Sequence, residues 1–175
     1  MTKDDLRRVV KSELKALSTD DLRFKSQSIE SALIKYLHSL HHITPFSVIG
    51  MYLPMRSEPH WNWSQWKQLT WRLSFPSVEG RFLIPGQLPE TGIWVSEGEE
   101  VSPDVLIIPG LAFSSKGYRL GRGAGWYDKL LVGNKPRLGS IGVCFDQQFG
   151  REFSVDVHDQ KVQMILTDQR MVTIC

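Results

Sequence analysis

Between Lys116 and Gly125 the sequence reads KGYRLGRGAG, seven of whose ten residues are Gly, Arg or Lys, and Trp126, Tyr127 and Asp128 follow. Small residues let an anion come up against backbone N–H groups, and a helix starting just beyond adds the positive end of its dipole. Arg119 and Arg122 supply charge, while Gly117, Gly121, Gly123 and Gly125 permit close approach, so polyphosphate binding is the chemistry this turn suits. The competing reading is a tight surface turn with solvated arginines. No Gly-Lys-Ser/Thr sequence occurs, which excludes a Walker loop, and GRGAG comes too late and at the wrong spacing for a dinucleotide fingerprint. Asp128 is a candidate ligand for Mg²⁺ on bound phosphate, because that ion uses one or two carboxylates plus phosphate oxygens. For a second acid, VDVHDQKV offers Asp159, preferred to Asp156, against the alternative of a solvated loop acid or helix cap.

Such a turn needs rigid flanks. The apolar run DVLIIPG before it reads as a buried strand, and AGWYDKLL after it as a helix. Upstream, Leu6, Val9, Val10, Leu14 and Leu17 share one helical face. Ser18 and Asp21 form a capping pattern ahead of a second stripe, Leu22, Ile29, Leu33, Tyr36, Leu37 and Leu40. FSVIGMYLP reads as a buried strand with Glu58 just past its end, and HWNWSQWKQL as a third helix carrying Trp63, Trp66 and Leu69. WRLSFP, RFLIP and GIWV are short strands, and GSIGVCF, VQMILT and MVTI complete the set. The alternation predicts a single α/β domain over 1–175: a three-layer sandwich with a mostly parallel central sheet, preceded by two N-terminal helices.

Twenty-one basic and 19 acidic residues leave a formal charge of +2, too balanced to call for nucleic acid, so an anion site must be local. The charged start and the absence of a long apolar run predict a cytoplasmic protein with no membrane partner, and a monomer is the expected state. Cys144 and Cys175 have neither metal-ligand spacing nor a disulfide framework.

The whole run PGLAFSSKGYRLGRGAGWYDKLL resembles the signature of the 5-formyltetrahydrofolate cyclo-ligase family. Lys3, the Leu6–Arg7 pair, SEP around Glu58, FDQQ ending at Gln148 and HDQKV around Asp159 continue the likeness along nearly the whole chain. The resemblance implies a single-domain α/β enzyme that uses Mg-ATP to convert 5-formyltetrahydrofolate into 5,10-methenyltetrahydrofolate, ADP and phosphate. It implies ATP binding by Lys3, Arg7, Arg119, Gly121, Arg122, Gly123 and Gly125, with Arg122 and Tyr127 catalytic. It further implies Mg²⁺ on Asp128 and Asp159, and folate against Glu58, Trp126 and Tyr127. The alternative function is a non-catalytic folate- or nucleotide-binding paralogue, and the alternatives at single residues are that Lys3 and Arg7 solvate the first helix, that Trp126 packs under the loop, and that Glu58 caps the helix after Pro59. Departures are Ala124 where relatives often carry Gly or Lys, Trp126 in place of a frequent Tyr, and Gln163 where a second acid is common.

Overall fold

Two capped helices open the chain. In α1 (Lys3–Lys15) the Thr2 hydroxyl accepts the Asp5 amide at 3.1 Å while the Asp5 carboxylate accepts the Thr2 amide at 3.2 Å. The expected cap of α2 (Thr19–Ser39) is present in the same form, with Ser18 and Asp21 exchanging bonds of 3.0 and 3.3 Å. Each such cap satisfies donors that the first helical turn leaves unpaired, at about 1 kcal/mol. Leu6, Val10 and Leu14 of α1 and Ile29, Leu33 and Leu37 of α2 are buried. Each contributes roughly 1.5–3 kcal/mol by leaving water. Val9, assigned to the same stripe by spacing, is 42% exposed.

The computed structural model describes residues 1–78, 81–82, 93–96, 99–123, 127–128, 131 and 136–175. Within them the strands are β1 (Val48–Gly50), β2 (Arg72–Val78), β3 (Arg81–Phe82), β4 (Ile93–Ser96), β5 (Glu99–Glu100), β6 (Val105–Pro109), β7 (Ala112–Phe113), β8 (Arg119–Leu120), β9 (Gly139–Val143), β10 (Met164–Leu166) and β11 (Met171–Thr173). The main sheet runs β11-β10-β9-β6-β1-β2-β4-β5, with β3 also on β2. Its centre, from β10 to β2, is parallel, and the outer pairings are antiparallel. This is the expected α/β architecture with a mostly parallel central sheet. One core cluster lies between the sheet and α1 and α2. A second, on Leu106, Ile108, Phe113, Cys144, Val162 and Ile165, packs Leu131 of a helical segment against it.

The strand order carries the site. From β1 the chain proceeds to β2 on one side, whereas β6, β9 and β10 build outward on the other, so the winding reverses between β1 and β6. The carboxyl ends of two such strands diverge and leave a crevice, where ligands of open α/β sheets bind.

Several local expectations need correction. The third helix, α3, is only Trp63–Trp66; Asn62 makes no side-chain cap, and Trp66 anchors the turn by donating from Nε1 to the buried Glu30 at 2.7 Å. The strand expected through Pro54 ends at Gly50, although Met51 still donates to the Ser74 carbonyl at 2.8 Å. Arg119, expected in a loop, belongs to the β7–β8 hairpin, whose turn passes through Gly117 at φ 86, a conformation glycine adopts without strain. Of AGWYDKLL, Tyr127, Asp128 and Leu131 are helical, and the rest lies outside the described residues.

Gly142 shows how tightly β9 meets that hairpin. A Cβ there would stand 2.5 Å from Phe113 Cε1, and Phe113 is fully buried. Gly142→Ala is therefore expected to lower stability by about 1–3 kcal/mol, seen as a shifted denaturant midpoint. An unchanged midpoint would mean that Phe113 has room to move.

Candidate active site

Side chains from three parts of the chain converge on the crevice between β1 and β6. The turn after β1 closes when the Glu58 amide donates to the Met55 carbonyl at 2.9 Å and the Met55 amide donates to Glu58 Oε2, also at 2.9 Å. Glu58 thus caps its own turn and not the helix after Pro59. Its other oxygen, Oε1, accepts from Arg122 Nη2 at 3.4 Å, and the same Nη2 donates to Ser57 Oγ at 2.9 Å. The segment after β6 is in this way tied to the segment after β1 across the switch point. The Arg122 side chain remains 33% exposed.

Arg119 is far more deeply buried than Arg122. Its side chain is 5% exposed, Nη2 donates to Asp128 Oδ2 at 2.9 Å, and its guanidinium lies 5.1 Å from the Tyr127 ring centroid. A Cβ on Gly121 would come within 2.7 Å of Arg119 Nη1, so this glycine makes room for a side chain beneath the turn. Gly123, at φ 124, has open space around it. Gly125 and Trp126 lie outside the described residues.

Neither Lys3 nor Arg7 merely solvates α1. Lys3 Nζ donates to Asp156 Oδ2 at 2.6 Å and to Asp159 Oδ2 at 2.7 Å, while Arg7 Nε donates to the Gly121 carbonyl at 2.9 Å. The first helix is thereby fastened to the glycine turn and to the acids near the chain's end. Sequence reasoning chose Asp159 over Asp156, but Lys3 holds both. Ser57 entered that reading only as part of SEP, with no role given to it. Gln148 is structural: its Nε2 donates to the Gly110 and Leu111 carbonyls and its Oε1 accepts from the Phe145 amide, at 3.0, 2.9 and 2.7 Å. Gln163 Oε1 accepts the Ser140 amide at 2.6 Å and the Ser140 hydroxyl at 2.5 Å, a bracing role that an acid's oxygen also fills.

Burial is the largest influence on the Tyr127 phenol and pushes it well up. The nearby Glu58 pushes the same way, and Arg119 opposes weakly. Tyr127 therefore stays protonated at neutral pH. For Asp159, burial works upward, yet the Lys3 bond, the Asp156 amide and the charges of Lys3 and Arg119 together hold the carboxyl below its usual value. A carboxyl depressed on folding stabilises the fold above its unfolded value of about 3.9 and loses that contribution as pH falls through the folded value. Asp159→Asn is accordingly expected to flatten the acid limb of a stability-against-pH curve below about pH 4. An unchanged limb would assign acid unfolding to other groups.

The acids fit a phosphate-bound Mg²⁺ unequally. Asp128 Oδ1 is buried without a partner, an acceptor oxygen that lacks a donor among the described residues. Asp159 Oδ2 is already shared by Lys3 and the Asp156 amide. Among the described residues no three His, Cys, Asp or Glu side chains gather into a metal cage, so such an ion would take its remaining ligands from phosphate and water.

Residues 79–168, more than half of the chain, match the model of the 5-formyltetrahydrofolate cyclo-ligase family. The chain belongs to that family. A cyclo-ligase of Mycoplasma pneumoniae is 26% identical over 178 residues, spanning 97% of this chain and 100% of its own. A probable cyclo-ligase of Schizosaccharomyces pombe is 29% identical over 85 residues, 42% of each chain. The solved 5,10-methenyltetrahydrofolate synthetase of Mycoplasma pneumoniae superimposes with a TM-score of 0.79 at 24% identity, covering 96% of this chain and 99% of that one, which shows the shared fold. The family match takes in the hairpin, the glycine turn and both candidate metal acids. Lys3, Arg7 and Glu58 lie outside it; Arg7 reaches the glycine turn at Gly121, Glu58 reaches Arg122, and Lys3 reaches Asp156 and Asp159. No helix among the described residues is long and apolar enough to cross a membrane.

Proposed function

We propose that this ligase joins the formyl carbon of 5-formyltetrahydrofolate to N10 at the expense of ATP, yielding 5,10-methenyltetrahydrofolate, ADP and phosphate. The reading rests on family membership together with one observation: Arg122, partly exposed, bridges the glycine turn to the Ser57–Glu58 turn at the switch point. A nucleotide on one side and a folate on the other would meet there.

The formyl oxygen of an amide is a poor leaving group, which gives ATP its task. The γ-phosphoryl group passes to that oxygen and ADP departs. N10 then attacks the formyl carbon, loses its proton, and phosphate leaves with the former formyl oxygen. Positioning and charge neutralisation carry most of the catalysis in such transfers. Arg122 and the open backbone at Gly123 bind phosphate, with Gly121 and Gly125 as further candidates. Lys3 and Arg7 hold α1 over the turn and reach phosphate when it displaces their present partners. Arg119 acts from beneath, holding Asp128 and the Tyr127 ring in place. Glu58 and Tyr127 offer an acceptor and a donor to the pterin edge, with Trp126 as an aromatic face beside them. Asp128, and Asp159 once released from Lys3, would hold Mg²⁺, which supplies charge compensation to the phosphates. Both cysteines are free, as fits a reducing compartment, and we place the enzyme in the cytoplasm as a monomer.

The test is a spectroscopic assay with purified protein, Mg-ATP and 5-formyltetrahydrofolate. ATP-dependent formation of the methenyl product is expected. A folded protein that binds either substrate yet makes no product would establish a binding paralogue instead.

A further inference from the structure

Glu58 stands on a stretch of chain that secondary structure does not hold. Residues 51–62, which join β1 to α3, are irregular, yet Tyr52, Glu58, Pro59 and Trp61 within them are buried. Buried backbone groups need partners, and here side chains supply them. The Tyr52 hydroxyl donates to the Pro59 carbonyl at 2.9 Å, and the amide of the same peptide, His60 N–H, donates to Ser26 Oγ at 3.0 Å. Two residues on, the Asn62 amide donates to Glu30 Oε1 at 2.7 Å. The Pro59–His60 peptide, one residue past Glu58, is thus gripped from both edges.

Both hydroxyls come from rigid surroundings. Tyr52 is fully buried, with its ring edge-on to Trp61 at a centroid distance of 5.3 Å, and Ser26 is buried on α2. Burial pushes the Tyr52 phenol well up, and Glu58, Tyr127 and Cys144 push the same way, so the phenol keeps the proton that the Pro59 carbonyl accepts. Tyr52 is therefore close enough to Glu58 and Tyr127, the two residues proposed for the pterin edge, to feel their charge. Glu58 itself has little freedom left. Pro59 narrows the backbone conformations open to the residue before it, and the Met55 amide holds Oε2. Oε1 faces Arg122 at 3.4 Å.

We propose that Tyr52 and Ser26 are positioning residues for the reaction: their hydroxyls clamp the Pro59–His60 peptide and so aim the Glu58 carboxylate at the pterin. The inference rests on the activity proposed above. Neither side chain touches the substrate in this arrangement. A peptide freed on one edge can rotate, and one residue of backbone passes that movement to Glu58, whereas productive sites hold their groups within about 0.5 Å. Arg122 is less sensitive to such a shift, because its shorter bond, at 2.9 Å, goes to Ser57, on the far side of Glu58 from the clamp. The folate side of the crevice should therefore loosen while the nucleotide side holds.

The experiment measures KM for 5-formyltetrahydrofolate, KM for ATP and kcat in wild type, Tyr52→Phe, Ser26→Ala, Glu58→Gln and Tyr52→Phe/Glu58→Gln, with the thermal transition of each as a check on folding. In Tyr52→Phe and in Ser26→Ala, KM for the folate is expected to rise about tenfold, short of the 10²-fold loss that a misplacement of about 1 Å can cause. KM for ATP should change less than about twofold. In the Glu58→Gln background, Tyr52→Phe should add less than about twofold to the folate KM, because residues that act through one contact are not additive. A folded Tyr52→Phe with the wild-type folate KM overturns the assignment. So does an equal rise in KM for both substrates, or a full effect of Tyr52→Phe without the Glu58 carboxylate, either of which reduces Tyr52 to packing. If Tyr52→Phe does not fold, Ser26→Ala decides by the same readouts, and failure of both to fold overturns the proposal by making the clamp a requirement of the fold. Absence of wild-type turnover refutes the activity itself. Calorimetric Kd values for 5-formyltetrahydrofolate then decide the clamp through the same set of variants, and a wild type that binds no folate overturns both.

Discussion

Asp128→Asn should give the largest loss at the site, lowering turnover at least tenfold and stability by about 3 kcal/mol. The stability loss follows from Arg119, which is 5% exposed and has Asp128 as its only ion-pair partner among the described residues. Removing that charge strands a buried guanidinium, the costly way to break an ion pair. The loss of turnover has a separate origin in Asp128 Oδ1, the unpartnered acceptor next to the proposed phosphate turn. Tenfold in kcat/KM corresponds to about 1.4 kcal/mol of transition-state stabilisation. Two measurements separate the causes. If the oxygen serves Mg²⁺, the Asn variant needs more Mg²⁺ for half-maximal rate. The double variant Arg119→Met/Asp128→Leu, which removes both charges, should recover most of the lost stability and none of the turnover. A normal Mg²⁺ requirement in Asp128→Asn would reduce Asp128 to a brace for Arg119.

Arg122→Ala is expected to do the opposite: kcat/KM for ATP falls about 10²–10³-fold, in line with removal of one donor from a developing anion, and stability changes by less than about 1 kcal/mol. Its side chain is one-third exposed, and of its contacts Glu58 is also held through the Met55 amide. Arg122→Lys should recover little, since a single ammonium cannot span Ser57, Glu58 and a phosphate oxygen as the guanidinium fork does. Unaltered ATP kinetics in Arg122→Ala would remove it from the site. A collapse of the thermal transition would make it structural.

The contrast between Arg119 and Arg122 marks where the chain's local information ends. Both sit in RLGRG, three residues apart, and by composition both are phosphate ligands. Pairing of Arg119 with Phe113 across the β7–β8 hairpin carries the first beneath the turn, where Asp128 and Tyr127 meet it. Arg122, past the hairpin, stays at the surface. A two-residue strand leaves almost no periodicity to read, so the difference in burial arises from tertiary packing.

What was legible was local and repetitive. The apolar stripes of α1 and α2, the Ser18–Asp21 cap and the continuous run of β6 each rest on interactions within a few residues, and these write themselves into spacing. The glycine turn was legible too, because close approach of a backbone demands glycine whatever surrounds it. The partners were not. Lys3 meets Asp156 and Asp159 across more than 150 residues, Arg7 meets the Gly121 carbonyl across 114, and Arg122 meets Ser57 across 65. Nothing near either end of such a contact specifies the other. For Arg122 and Ser57 the parallel order β2-β1-β6-β9 supplies the meeting place, because reversal of winding between β1 and β6 opens a crevice at the carboxyl ends of those strands.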